Sequence, residues 1–192
     1  MNDILLLDNI DSFTYNLVDQ LRINNCNVII YRNTVSISII LKKLSKMCNP
    51  ILILSPGPGH PDNAGCMLKL LKIVCGKIPI IGICLGHQAI VKIYGGNIEN
   101  SGEILHGKTS FIEHDGQAMF HNIPNPFLVA RYHSLICNDV PNSLTISAHC
   151  NGAVMSVRSD KEKICGVQFH PESILTTLGS KFLKQTVEWA IQ

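Results

Sequence analysis

The chain has 192 residues, 46% of them hydrophobic and 16% charged, and a net charge of +2. That balance suits one folded domain with a sizeable core and excludes a disordered tail. With no basic or acidic run, the charge gives no electrostatic handle for nucleic acid or an anionic membrane surface. No apolar segment reaches the roughly 20 residues of a membrane span, and Asp3 stands where a signal peptide wants positive charge, so a cytoplasmic location is expected. The eight cysteines are scattered without a C-x-x-C pair, which argues against a disulfide framework.

Residues 3–8 read as a first strand. Asn9-Ile-Asp-Ser12 is turn chemistry, with Asp11 or Ser12 placed to cap a helix whose apolar face carries Phe13, Leu17, Val18 and Leu21 and which ends near Asn24 and Asn25. Residues 27–31 give a second strand, and Ile37, Ile40, Leu41 and Leu44 a second helix. Residues 51–54 form a third strand running into Ser55-Pro-Gly-Pro-Gly59, and Met67, Leu70, Leu71 and Val74 mark a third helix. The apolar run at 78–83, around Gly82, reads as a strand buried on both faces, followed by a helix carrying Ile90, Val91 and Tyr94. Such alternation means βαβ units and a parallel sheet with helices on both faces, and in such sheets ligands bind outside the strand carboxyl ends.

After Tyr94-Gly-Gly96 the pattern changes. Short strand-like runs follow at 109–112, 127–132, 144–148, 153–157 and 164–169, separated by turn clusters. A last helix over 178–190 has Phe182, Leu183, Val187 and Ala190 on one face. The second half is therefore expected to be mostly an antiparallel extension of the same sheet or a small satellite sheet. No linker divides the chain, so residues 1–192 are expected to form one α/β domain, with a central mostly parallel sheet flanked by helices and an added antiparallel portion.

The chemistry concentrates at three places. Gly82-Ile-Cys84-Leu-Gly86 is a G-x-C-x-G turn between strand and helix, the thiol counterpart of the G-x-S-x-G nucleophile elbow. Small neighbours let the backbone turn sharply, and the following helix offers free N–H groups and a positive dipole end that favour thiolate. Most cysteines are inert core fillers; the elbow sets Cys84 apart. Cys84 and His87 supply half a zinc site, but no second close pair completes it, and no metal is expected.

A thiol nucleophile needs a base and a group to orient it. In His170-Pro171-Glu172 the side chains at i and i+2 of an extended chain point the same way, and the proline biases His170 away from helix. Alone, that tripeptide reads as a surface turn; beside a thiol, it supplies base and orienter. Ser55-Pro-Gly-Pro-Gly59 is a rigid loop whose glycines allow close backbone approach, and the Gly57 amide is a natural oxyanion partner for the Leu85 amide. A phosphate-binding loop competes for this stretch, but the P-loop lysine and the G-x-G-x-x-G run are both missing.

Together, Gly82-Ile-Cys84-Leu-Gly86-His-Gln88 and Phe169-His170-Pro171-Glu172 resemble the class I (triad) glutamine amidotransferases, over essentially the whole chain. Asp8-Asn-Ile-Asp-Ser-Phe-Thr-Tyr-Asn16, His106-Gly-Lys108 and Arg131-Tyr-His-Ser-Leu135 narrow the resemblance to the chorismate-using branch. Within it, His114-Asp-Gly-Gln-Ala-Met-Phe120 and the run from His170 to Thr177 are most similar to anthranilate synthase component II. The resemblance implies a flavodoxin-like fold, the catalytic set Cys84, His170 and Glu172, and glutamine binding by Gly57, Pro58, Gly59, Leu85, Gln88, Ser134 and Leu135.

It further implies no cofactor in this subunit, with Mg2+ in the synthase partner. The implied partner is the large subunit, component I, with two of each in a heterotetramer, and with residues 96–108 and the loop after Ser55 as the partner-facing surface. The rival readings are the glutaminase subunit of aminodeoxychorismate synthase, one subunit shared by both synthases, a catalytically idle interaction subunit, and another kind of cysteine hydrolase.

Overall fold

A computed structural model describes residues 2–102 and 107–192. His106, one of the motif residues above, and the middle of the 96–108 segment lie outside the described residues. The first half of the chain alternates strand and helix: β1 (Asn2–Asp8), α1 (Thr14–Ile23), β2 (Cys26–Arg32), α2 (Ile37–Leu44), β3 (Ile51–Leu54), α3 (Met67–Val74), β4 (Ile80–Ile83) and α4 (Leu85–Ile93). The second half is mainly strand: β5 (Asn97–Asn100), β6 (Lys108–His114), β7 (Phe127–Arg131), β8 (Leu135–Asn138), β9 (Thr145–Cys150), β10 (Ala153–Ser159) and β11 (Ile164–Val167), before α5 (Gly179–Ala190).

The main sheet has nine strands in the order β2-β1-β3-β4-β11-β10-β9-β6-β7. From β2 to β11 every neighbour is parallel; beyond β11 every neighbour is antiparallel. Both expectations for the second half hold, because β5 and β8 also pair as a separate two-stranded sheet. Neither of those strands stood out in the sequence: β5 is Asn-Ile-Glu-Asn and largely exposed. The last strand also departs from the antiparallel expectation, since β11 lies parallel to β4 with Val167 opposite Ile83.

The period-2 alternation of strand side chains divides the core into two layers. Ile4 and Leu6, Ile51 and Ile53, and Ile81 and Ile83 face one way, against Leu17, Val18 and Leu21 of α1 and Phe182, Leu183 and Val187 of α5. Leu5, Leu7, Leu52, Leu54 and Ile80 face the other way, against Ile40 of α2, Leu70 and Leu71 of α3, and Ile90 of α4. At about 1.5–3 kcal/mol per fully buried aliphatic side chain, these two layers hold the helices far more firmly than their intrinsic propensities.

Some boundaries move for local reasons. Strand β4 starts at Ile80, because Pro79 has no N–H for the ladder, though its carbonyl still accepts from Leu52 at 3.0 Å. Neither Asp11 nor Ser12 is the cap of α1: that position falls to Phe13, without a side-chain cap bond. The Asp11 carboxylate instead accepts the Phe13 N–H at 2.7 Å, one residue before the helix.

Candidate active site

Reversal of strand order around β1 opens a crevice at the carboxyl ends of β1 and β3, the usual ligand position in such sheets. Four loops meet there, following β1, β3, β4 and β11. They line a cavity of about 390 Å³ with Ile10, Asp11, Ser12 and Phe13, then Pro56, Gly57 and Pro58, then Cys84, and finally His170 beside Tyr132. A groove of about 1090 Å³ at the opposite end of the strands, among residues such as Asn2, Cys48, Pro79 and Ile191, contains none of these groups.

Cys84 sits between β4 and α4 with φ 51° and ψ −98°. A non-glycine residue in that region carries strain on the order of 1–3 kcal/mol, held in place by its surroundings. The glycines of the elbow show how. A Cβ on Gly82 would come within 2.5 Å of the Gly86 backbone, and one on Gly86 within 2.6 Å of Leu54. The first turn of α4 therefore lies directly on the sheet, and Cys84 occupies its N-cap. Leu85, the first helical residue, has an amide with no carbonyl to meet inside the helix, which leaves it free for an oxyanion.

The facing loop is anchored by Asn9. Its backbone N–H donates to Ser55 Oγ at 2.8 Å, and its side-chain amide donates to the Ser55 carbonyl at 2.9 Å. A Cβ on Gly57 would meet Asn9 at 2.6 Å and Leu85 Cδ2 at 2.9 Å. The structure thus brings the two expected oxyanion residues, Gly57 and Leu85, against each other. Gly59, at the exposed end of the loop with φ 77°, is outside the cavity lining.

On the other side of Cys84, its N–H donates to the Val167 carbonyl at 2.8 Å. Three residues later the His170 N–H donates to the Ala130 carbonyl at 3.0 Å, while Thr176 Oγ1 donates to the His170 carbonyl at 2.7 Å and accepts the Ala130 N–H at 3.0 Å. These bonds hold His170 over the thiol. His170 Nδ1 lies 2.6 Å from Glu172 Oε1, with both side chains buried, so the i and i+2 side chains do project together. The imidazole also stands edge-on to Tyr132, centroids 4.9 Å apart.

Burial alone would lower the His170 pKa. The charge of Cys84 and the hydrogen-bonded Glu172 carboxylate outweigh it and raise the pKa well above 6.5. A protonated imidazole is the form this favours. Asp11, at the cavity rim, has its pKa raised by burial, against the opposing pull of the Phe13 N–H and His170.

The expected amino-acid clamp is partly assembled. Gln88 is buried, and its Nε2 donates to the Leu135 carbonyl at 3.4 Å and to Gln168 Oε1 at 3.1 Å. Ser134 is exposed, and its carbonyl accepts the Ser101 N–H at 2.8 Å. Gln88, Ser134 and Leu135 flank the site without lining the cavity. His87 and His133 are buried nearby. Burial lowers the His87 pKa to about 3, and burial with the charge of Arg131 lowers that of His133 to about 4.

Sequence reasoning also missed Tyr132, Thr176 and above all Gln168, whose side chain donates to Cys84 Sγ at 3.5 Å. Its only signal was its position two residues before His170. Among the described residues, no group of three or more His, Cys, Asp or Glu side chains is placed to hold a metal ion, and no helix is long and apolar enough to cross a membrane.

Comparison with known proteins agrees with this geometry. The family model for glutamine amidotransferase class-I matches residues 5–189. Anthranilate synthase component 2 of Buchnera aphidicola subsp. Schizaphis graminum is 61% identical over 190 residues, covering 99% of this chain and 97% of that protein. The protein of the same name from Vibrio parahaemolyticus is 51% identical over 192 residues, covering 100% and 98%. Among solved structures, a glutamine amidotransferase from Thermotoga maritima superposes with a TM-score of 0.80 at 16% identity, covering 100% of this chain and 98% of that one; at that identity the likeness speaks for the fold. With the fold, the elbow and the family model in agreement, the chain belongs to the class I glutamine amidotransferases.

Proposed function

We infer that this chain is the glutamine-hydrolysing component of an anthranilate synthase. The observation that carries the reading is full-length identity of 61% to a protein named anthranilate synthase component 2, in a chain whose Cys84 and His170 share one cavity, with Glu172 hydrogen-bonded to the imidazole. In the reaction we propose, the Cys84 thiolate attacks the side-chain amide carbon of glutamine. The oxyanion forms between the main-chain amides of Leu85 and Gly57.

His170, already protonated, gives its proton to the departing ammonia, leaving a glutamyl thioester. It then takes a proton from water as that water attacks the thioester, releasing glutamate and regenerating the thiolate. Glu172 holds the imidazole so that Nε2 faces the sulfur. Gln88 and the Ser134–Leu135 backbone hold the amino-acid end of glutamine, with Pro58 and Gly59 closing the facing side.

Ammonia passes to the large subunit, component I, which aminates chorismate and releases anthranilate and pyruvate; the assembly holds two copies of each subunit. The partner surface surrounds the cavity mouth, through the loop after Ser55 and the segment that includes β5. The test is to mix the purified chain with an anthranilate synthase large subunit, or with an aminodeoxychorismate synthase large subunit, plus chorismate and glutamine. Fluorescent anthranilate is expected with the first partner. Glutamine-dependent product only with the second would overturn the assignment.

A further inference from the structure

Gln168 has no part in the chemistry described so far, yet it is completely buried between the thiol and the residues assigned to the substrate. The direction of its side-chain amide follows from the chemistry of its neighbours. The Leu135 carbonyl can only accept hydrogen bonds. It takes one from His133 Nδ1 at 2.9 Å, and the end of the Gln88 amide facing it at 3.4 Å must be the NH2 group. That same NH2 lies 3.1 Å from Gln168, so the Gln168 atom meeting it must be the carbonyl oxygen. The Gln168 NH2 is left pointing at Cys84 Sγ, 3.5 Å away. The sulfur is held as an acceptor, a role that the thiolate fills better than the thiol.

The His133 end of this chain is equally fixed. His133 Nε2 receives the Arg131 Nε–H at 3.1 Å, so its proton must sit on Nδ1, the nitrogen that donates to Leu135. Donation therefore runs from Arg131 through His133 into the Leu135 carbonyl on one side, while Gln88 donates to that same carbonyl and, through Gln168, directs an N–H at the sulfur on the other.

The geometry points to Gln168 as a positioning residue for the nucleophile: its side-chain N–H holds the Cys84 sulfur, and its orientation is set through Gln88 by the same Leu135 carbonyl that borders the substrate. This deepens the glutaminase reading of the site and rests on it. Substrate that draws Gln88 or the Leu135 backbone toward itself loosens the hold on Gln168, and so releases the sulfur for attack as the site fills.

The experiment measures the pH dependence of Cys84 carboxamidomethylation by iodoacetamide in the full chain, followed by peptide mass spectrometry, together with kcat and KM for glutamine hydrolysis. Gln168→Leu removes the donor. Gln168→Glu keeps the size and replaces the donor with an acceptor. Loss of one hydrogen bond to a charged group is expected to raise the alkylation midpoint by about one pH unit in Gln168→Leu, and by more in Gln168→Glu, with kcat falling more than KM rises.

Gln88→Leu frees the Gln168 amide to rotate and is expected to give a smaller rise. A Glu variant that behaves as wild type while the Leu variant does not would overturn the inference in favour of shape alone. Unchanged midpoints in both Gln168 variants would also overturn it. Wild-type Cys84 reacting only at the pH of an ordinary thiol would instead overturn the nucleophile reading itself. Thermal unfolding of each variant reports folding, and the isosteric Glu variant keeps the comparison open if Gln168→Leu unfolds.

Discussion

Cys84 and Val167 are joined by a backbone hydrogen bond of 2.8 Å, so the strand that carries the base also fixes the height of the nucleophile. Gly166, next along β11, allows this by letting α4 approach: a Cβ there would meet His87 Nδ1 at 2.8 Å and His87 Cα at 3.0 Å. Gly166→Ala should push β11 from α4 and separate thiol from imidazole. A displacement near 1 Å is expected to cost on the order of 100-fold in kcat, measurable as glutaminase turnover in a variant whose cooperative unfolding persists.

Replacing the nucleophile separates the two half-reactions. Cys84→Ser is expected to abolish glutamine-dependent synthesis with the large subunit, a loss of at least roughly 1,000-fold given the poor nucleophilicity of an unassisted hydroxyl. Synthesis from added ammonium salts should continue. Loss of both activities would show that Cys84 supports assembly instead.

The raised His170 pKa sets a pH signature. A group whose folded pKa lies above its unfolded value of 6.5 contributes stability that is fully present below 6.5 and is lost as pH rises through the folded value. Glu172→Gln removes one of the charges that hold the proton. The alkaline limb of the kcat/KM profile should therefore move to lower pH, and the thermal stability of the variant should fall less than that of wild type between neutral and alkaline pH. An unmoved alkaline limb would contradict the assignment of Glu172.

His87 and His133 work in the opposite direction. Their folded values of about 3 and about 4 lie below 6.5, so the unfolded chain binds more protons under mild acid. Stability present above 6.5 is then lost as pH falls toward the folded values, at up to about 1.4 kcal/mol per pH unit for each group. Urea midpoints at pH 7 and pH 5 measure the slope. In His87→Leu it should fall by roughly half if the two groups act independently.

Thr176→Val tests the clamp on the base. It removes the hydroxyl that serves both the His170 carbonyl and the Ala130 N–H, leaving buried polar groups unpaired at about 1–3 kcal/mol. Stability should drop by that order, and kcat should drop with it because the His170 backbone is no longer pinned. Unchanged kcat in a destabilised variant would make the clamp structural only.

The parts legible in sequence were those with strong local periodicity or motif. Met67, Leu70, Leu71 and Val74 of α3 are all buried as their spacing required, and Ile51–Leu54 is buried throughout as a doubly covered strand should be. The proximity of Cys84 and His170 could be argued because a thiol elbow demands a base. Strands β5 and β8 were not visible, since their short, half-exposed pairing leaves no hydrophobic pattern. Gln168 was not visible either. A buried glutamine earns its place through partners 80 and 84 residues away in the chain, and no periodicity reports those.

The position of β11 also dictates an order of events. It is the last strand in the chain but occupies the middle of the sheet, between β4 and β10. A nascent chain that has emerged only as far as Ser159 can pair β2, β1, β3 and β4, and can form the β10-β9-β6-β7 sheet, yet the two halves have no strand to join them. Insertion of the final strand welds the halves and delivers His170 to the thiol in one step. A copy that lacks β11 has a cysteine with no base beside it.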